Sequence, residues 1–217
     1  MQKVSILDQA STPKKILALG AHADDIEIGS GGTVLRLLES NPAAEVYWIV
    51  FGASGARRAE AVESAQQFLA NARRKEIVVK DFRDGYFPYV GAQIKDFFED
   101  LKRQFVPDLI LTHYREDLHQ DHRLVNELTW NTFRDHLILE HEIPKYDGDI
   151  GSPNFFVHLD AALCKRKVAS ILQSFASQRS KAWFSEDSFY AMLRLRGLES
   201  NAPEKYAEAF YCRKVVW

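Results

Sequence analysis

The apolar run Ile16-Leu17-Ala18-Leu19 passes through Gly20-Ala21 into His22-Ala23-Asp24-Asp25-Ile26-Glu27, so one histidine and three acids follow a hydrophobic segment almost without spacing. A short apolar run reads as a buried strand, and ligands of open α/β sheets bind outside the carboxyl ends of the strands. His22 and Asp25 offer a nitrogen and an oxygen three residues apart, a mixed donor set that divalent zinc accepts. A second run, Leu109-Ile110-Leu111-Thr112, ends in His113 and is followed by Asp117, His119, Asp121 and His122. If both strands are central and parallel, their ends open on the same edge and the two clusters converge on one ion. The plainer alternative is a pair of solvated polar loops, since a lone histidine is more often a core or surface residue than a ligand.

The pairing of Ala21-His22-Ala23-Asp24-Asp25-Ile26-Glu27 with His119-Gln120-Asp121-His122 resembles the PIG-L/LmbE-like family of zinc-dependent N-deacetylases, whose motifs read AHPDDxE and HxDH. Gly29-Ser30-Gly31-Gly32-Thr33 resembles the family's glycine-rich entry to its first helix, and Arg57-Arg58-Ala59-Glu60 its RxxE helix start. Glu142-Ile143-Pro144, Pro153-Asn154-Phe155-Phe156-Val157 and Ser177-Gln178 resemble segments of a bacterial branch, so the likeness runs through nearly the whole chain. Ala23 stands where the family has proline, which removes a φ lock but no ligand.

The resemblance implies a metal held by His22, Asp25 and His122, with a fourth position left for water whose pKa the metal lowers. It implies Asp24 as the base that takes the proton from that water and passes it to the leaving amine. His119, if protonated, would hydrogen-bond the tetrahedral oxyanion, with Asp121 orienting its ring and raising its pKa. From the residues alone His113 and Asp117 are alternative ligands; the family match favours the later pair. Arg57, delivered by Gly52-Ala53-Ser54-Gly55 to the end of the second strand, is a candidate substrate contact, although charges at a helix start commonly only cap it, and Glu60 shares that ambiguity. Glu27 reads as a brace for the ligand loop. Arg194-Leu195-Arg196-Gly197 could bind a substrate anion, but a solvated helix end is the simpler reading.

Positioning these clusters requires alternating elements. Strands are expected at Lys15 to Leu19, Val46 to Phe51, Glu76 to Val79, Leu109 to Thr112, Leu137 to Glu142 and Phe155 to Leu159. Helices are expected at about Gly31 to Glu39, Arg57 to Ala72, Ile94 to Phe105 and Ala161 to Ser177. The alternation points to an α/β fold, a Rossmann-like three-layer sandwich with a mostly parallel central sheet, in one domain spanning residues 1–217. The turn-rich run Asp147 to Pro153 suits a connector, and by family likeness residues 144 to 153 form a mobile rim of the substrate pocket.

Composition fits a single globular enzyme domain: 217 residues, 46% hydrophobic, with 30 acids against 28 bases. So balanced a charge gives no field to recruit nucleic acid or an anionic membrane. Residues Met1 to Lys15 lack the apolar block of a signal peptide, and no apolar run approaches the roughly 20 residues of a membrane span. Two isolated cysteines, Cys164 and Cys212, form no disulfide framework, and a cytoplasmic location follows. The expected partner is a small N-acetylated amino sugar or its conjugate, and relatives of the family often form homo-oligomers. Two other readings compete: a Rossmann-type nucleotide-binding protein, and a metal-binding relative without catalysis. Against the first, the glycines arrive after three acids and not in GxGxxG order; against the second, ligation alone does not require Asp24.

Overall fold

The computed structural model describes residues 15–215. The reading of Met1 to Lys15 therefore lies, but for Lys15, outside the described residues. Among the described residues seven strands form one sheet: β1 (Lys15–His22), β2 (Glu45–Gly52), β3 (Arg74–Val79), β4 (Leu109–His113), β5 (Leu137–His141), β6 (Phe155–Leu159) and β7 (Tyr206–Cys212), in the order β3-β2-β1-β4-β5-β7-β6. The first five pair in parallel, and β7 runs antiparallel to both β5 and β6. Among the described residues the α-helices are α1 (Asp25–Ser40), α2 (Gly55–Phe68), α3 (Gly91–Gln104), α4 (Gln120–Thr132), α5 (Ala161–Ser174) and α6 (Glu186–Glu199). This is the α/β, Rossmann-like, mostly parallel architecture expected from the alternation.

The strands alternate between two cores. Ile16, Ala18, Val46, Trp48, Val50, Leu109 and Leu111 face one side with α1, α2, α5 and α6, while Leu17, Leu19, Ala21, Ile49, Phe51 and Ile110 face α3 and α4 on the other. A sheet buried on both faces needs apolar residues at every position, which is why β1, β2 and β4 read as continuous apolar runs. The chain leaves β1 toward β2 on one side and is joined by β4 on the other. The carboxyl ends of β1 and β4 thus flank the point where strand order reverses, the place where such sheets open a crevice.

Several boundaries differ from expectation. Helix α1 begins at Asp25, not near Gly31, so Gly29-Ser30-Gly31-Gly32 lie within it. A Cβ on Gly29 would come 2.4 Å from His141, and one on Gly31 2.6 Å from Phe68. These glycines serve close approach inside a helix, not a loop, which also removes the phosphate-cradling loop of the nucleotide-binding alternative. Helices α4 and α6 and strand β7 were absent from the expected elements. Helix α4 buries a largely polar set, including Asp121, His122, Asn126 and Thr129, so apolar periodicity does not announce it.

Helix α1 is fixed from the far end of the chain. Buried Glu208 on β7 accepts the Gly32 and Thr33 backbone N–H groups at 2.7 and 2.6 Å and is paired with Lys167 at 2.6 Å. Lys167 also donates to the Ile28 carbonyl at 2.6 Å. Arg196 forms a second buried node and is not a solvated helix end: only 3% exposed, it grips both Glu142 oxygens at 2.8 and 2.9 Å and bonds the Gly151 carbonyl at 3.0 Å. Its helix packs against β7, and Glu142 also accepts the Tyr211 hydroxyl. Breaking a buried pair by removing one partner strands the other charge. Arg196→Met is expected to lower stability by about 3–5 kcal/mol in urea unfolding, with partial recovery in Arg196→Met/Glu142→Leu; a loss indistinguishable from a surface substitution would contradict a net structural role for the pair.

Candidate metal centre and active site

Strand β1 ends at His22, and α1 starts three residues later at Asp25, so the tight turn between them must place both side chains at the crevice. The His22 backbone N–H donates to Asp25 Oδ2 at 2.6 Å, closing that turn. Across the crevice His119 caps α4, its Nδ1 accepting the Asp121 backbone N–H at 3.2 Å. His122 lies in the first turn of α4 and reaches back toward His22 across 100 residues of sequence.

His22 Nδ1 lies 3.2 Å from His122 Nε2 and 3.4 Å from Asp25 Oδ2, and the triangle closes with 3.5 Å between Asp25 Oδ2 and His122 Nε2. Zinc bonds of about 2.0–2.1 Å in a tetrahedron imply ligand separations of about 3.4 Å. The three atoms therefore have the spacing of one face of a zinc coordination tetrahedron. Each imidazole is held from behind by carboxylates: His22 Nε2 by Asp121 Oδ2 at 3.2 Å and Asp84 Oδ1 at 3.1 Å, His122 Nδ1 by Asp117 Oδ2 at 2.9 Å. That pattern fixes the tautomer and aims the other nitrogen inward, as in metal-ligating histidines generally.

The alternatives weighed from sequence fall into other places. Overlapping donor groups Asp25/His113/His122, His22/His119/His122 and His22/Asp84/His119/Asp121 each have atoms within 4.8 Å of one another. His113 Nε2, however, accepts the Ala21 backbone N–H at 2.8 Å, so its lone pair is engaged. Asp117 sits behind His122 and is also paired with Lys145 at 2.9 Å. Lys145 and Leu118 both bind Asp149, tying the 144–153 segment to the second cluster.

Asp24, 4% exposed, receives Arg57 Nη2 on Oδ1 at 3.1 Å, while its buried Oδ2 has no protein partner. Arg57 thus reaches the site through Asp24, and its other nitrogen lies 3.5 Å from Asp84. Glu60 instead holds the N–H and hydroxyl of Ser177, a bond between α2 and the 3-10 turn Ala176–Gln178. Asp121 departs from the expected role: its carboxylate accepts the Gly85 and Phe87 N–H groups at 2.6 and 3.1 Å and faces His22, not His119. Glu27 is fully buried beside Ser64 at the start of α1, and burial pushes its pKa well above the usual carboxylate range.

Sequence reasoning missed Asp84. It lies in the connection after β3, just before Gly85 at φ 79°, and its side chain is 57% exposed. The available signal was a carboxylate in a glycine turn beyond a parallel strand, on the same sheet edge as both motifs.

Burial opposes charge on His22, but hydrogen bonds to Asp121, Asp25 and Asp84 outweigh it and hold its pKa well above the ordinary imidazole value. Burial likewise opposes charge on Asp25, yet His122 and His113 keep its carboxyl well below the usual range. Asp24 is pushed up by burial and then by the Asp25 charge. The hydrogen bond with His22 draws Asp84 down to about 2. Burial, and then His22, lower the pKa of His119 below the ordinary imidazole value.

Behind the site, His141 is fully buried with neither ring nitrogen hydrogen-bonded, and burial, then His113, hold its pKa well below the ordinary value. Its unfolded form gains a proton near pH 6.5 while the folded form does not. The unfolded state then binds more protons below that pH, so this group removes stability as pH falls from about 6.5. Glu27, pushed up by burial, works in the opposite sense, and the difference between variant and wild type isolates His141. His141→Met is expected to gain stability relative to the wild type as metal-free protein is acidified from about pH 6.5 to 4, by up to about 1.4 kcal/mol per pH unit. Parallel stability curves in chemical unfolding would show that His141 takes up its proton in the folded chain at the same pH as in the unfolded one.

No curated protein matches the sequence. Among solved structures, an N,N'-diacetylchitobiose deacetylase from Pyrococcus horikoshii is 19% identical, with TM-score 0.64 over 96% of this chain and 86% of the other. The A40926 pseudoaglycone deacetylase Dbv21 is 17% identical, with TM-score 0.72 over 95% and 100%. GalB, the 4-carboxy-2-hydroxymuconate hydratase from Pseudomonas putida KT2440, is also 17% identical, with TM-score 0.69 over 94% and 98%. At these identities the likeness is one of fold, and the fold hosts more than one reaction. The family model described as PIG-L: GlcNAc-PI de-N-acetylase matches residues 17–133, more than half of the chain and the whole span from β1 through both motifs: the chain belongs to the PIG-L family.

Proposed function

We propose that this chain is a zinc-dependent N-deacetylase that releases acetate from an N-acetylated amino sugar or its conjugate. The observation that carries the reading is the closed triangle of His22 Nδ1, Asp25 Oδ2 and His122 Nε2 beside a buried Asp24 oxygen without a protein partner. Zinc bound there would polarise the acetyl carbonyl and acidify water at neutral pH.

The protein's own groups divide the remaining work. As water attacks the carbonyl carbon, Asp24 Oδ2 takes its proton and then delivers it to the nitrogen, so the C–N bond breaks to acetate and free amine. Arg57 holds the other Asp24 oxygen and keeps the carboxylate aimed. The neutral His119, with Nδ1 engaged by the Asp121 N–H, carries its proton on Nε2, a donor for the developing oxyanion without a net charge. Exposed Asp84, with Arg57 beside it, offers acceptor and donor to the hydroxyls of a sugar ring. Among the described residues no helix is long and apolar enough to cross a membrane, and the unpaired Cys164 and Cys212 suit a reducing cytoplasm.

The purified protein is expected to bind about one zinc per chain by elemental analysis, and His22→Ala or His122→Ala to lose it. A metal-free wild type would overturn the reading. Asp24→Asn is expected to keep the zinc while acetate release from N-acetylglucosamine conjugates falls by about 10²–10⁴-fold. Unchanged turnover in that variant would remove Asp24 from the chemistry, and zinc loss would make it a ligand. A zinc-loaded wild type that hydrates an enol acid but releases no acetate would move the chain to the hydratase side of the fold.

A further inference from the structure

We infer that His113 is a positioning residue for the metal centre, its ring nitrogen standing in for strand pairing between the two segments that supply the ligands. The inference rests on the zinc reading above. Strands β1 and β4 pair in register from Ile16↔Leu109 to Ala18↔Leu111 and no further, because beyond that point they part to form the crevice. Ala21, just before His22, is therefore left without a β4 backbone partner for its N–H. His113 Nε2 accepts that N–H at 2.8 Å, so an imidazole takes the place of the missing ladder bond.

The same ring also packs on a proposed ligand of the second segment, stacking on His122 with centroids 3.9 Å apart at 22°. The His113 main chain grips the same helix, its carbonyl accepting Asn126 Nδ2 at 2.6 Å one turn beyond His122. His113 is 0% exposed, so water cannot replace any of these contacts. The ring is thus held between the end of β1 and the start of α4, and its acceptor nitrogen sets their separation. Plain core packing would need only the ring's shape; positioning needs the acceptor at the ε position.

Two substitutions separate these demands. His113→Phe keeps a stacking ring and removes the acceptor, whereas His113→Gln removes the ring and keeps an amide oxygen near the ε position. Zinc chloride is titrated against each full-length chain in competition with a chromophoric chelator, with thermal melts of the metal-free proteins as a folding control. The expected result is a dissociation constant raised about 10–100-fold in His113→Phe, the range for loss of a supporting partner around a metal, and returned to within a few-fold of wild type in His113→Gln. If His113→Phe does not fold, His113→Met takes its place as the variant without an acceptor. Wild-type affinity in the variant without the acceptor overturns the inference, and so does equal weakening of both variants, which would make the ring's packing the cause. A wild type that binds no zinc overturns the functional reading together with this one, so the two failures are told apart by the wild-type titration.

Discussion

The Asp121–His22 and Asp117–His122 pairs govern where everything else in the crevice lies. Each is a buried ionisable pair, and such groups are tolerated away from water only when their polar atoms are satisfied. Asp121 is satisfied by the Gly85 and Phe87 N–H groups as well as by His22, so the loop after β3 must come to the start of α4. Asp117 is satisfied by His122 and Lys145, so the 144–153 segment must come to the same place from the other side. The walls of the site are thus drawn in by the carboxylates that hold its histidines.

How legible this was in the sequence depends on what each segment buries. Strands β1, β2 and β4 face two apolar cores and announce themselves as unbroken hydrophobic runs. The two motifs, lying at the ends of such strands, could be placed on one edge before any coordinates. Helix α4 could not, because the face it turns inward is made of the polar side chains of the site itself. The start of α1 was hidden by its glycines, which local propensity assigns to loops but which here admit His141 and Phe68 against the helix backbone. Helix α6 hid its buried charge in the same way, since an arginine on an otherwise mixed helix reads as solvated until Glu142 is seen beside it.

Roles were harder to read than places. Asp121 precedes His122 directly and looks like a partner for His119, yet helix geometry turns its carboxylate to the loop after β3 and to His22. Asp84 carries no motif, and its function follows only from where that loop is anchored. Arg57 reads from the sequence as either a substrate contact or a helix cap; with one nitrogen on Asp24 and another near Asp84 it is a member of the charge array. The array, Asp24–Arg57–Asp84–His22, links the proposed base to a proposed ligand without passing through the metal position.

Glu208 bears on the order in which the molecule can be made. The family-matched span ends at residue 133, yet the N–H groups of Gly32 and Thr33 in α1 find their carboxylate on the last strand, which is inserted between β5 and β6. During synthesis, which proceeds from the amino terminus, the helix that carries Asp25 emerges long before the residue that pins it. Contacts of such sequence separation close late. A nascent chain can therefore assemble β1 to β4 and bring both histidine clusters together while α1 still lacks its anchor, and the centre becomes rigid only after the strand that carries Glu208 has left the ribosome.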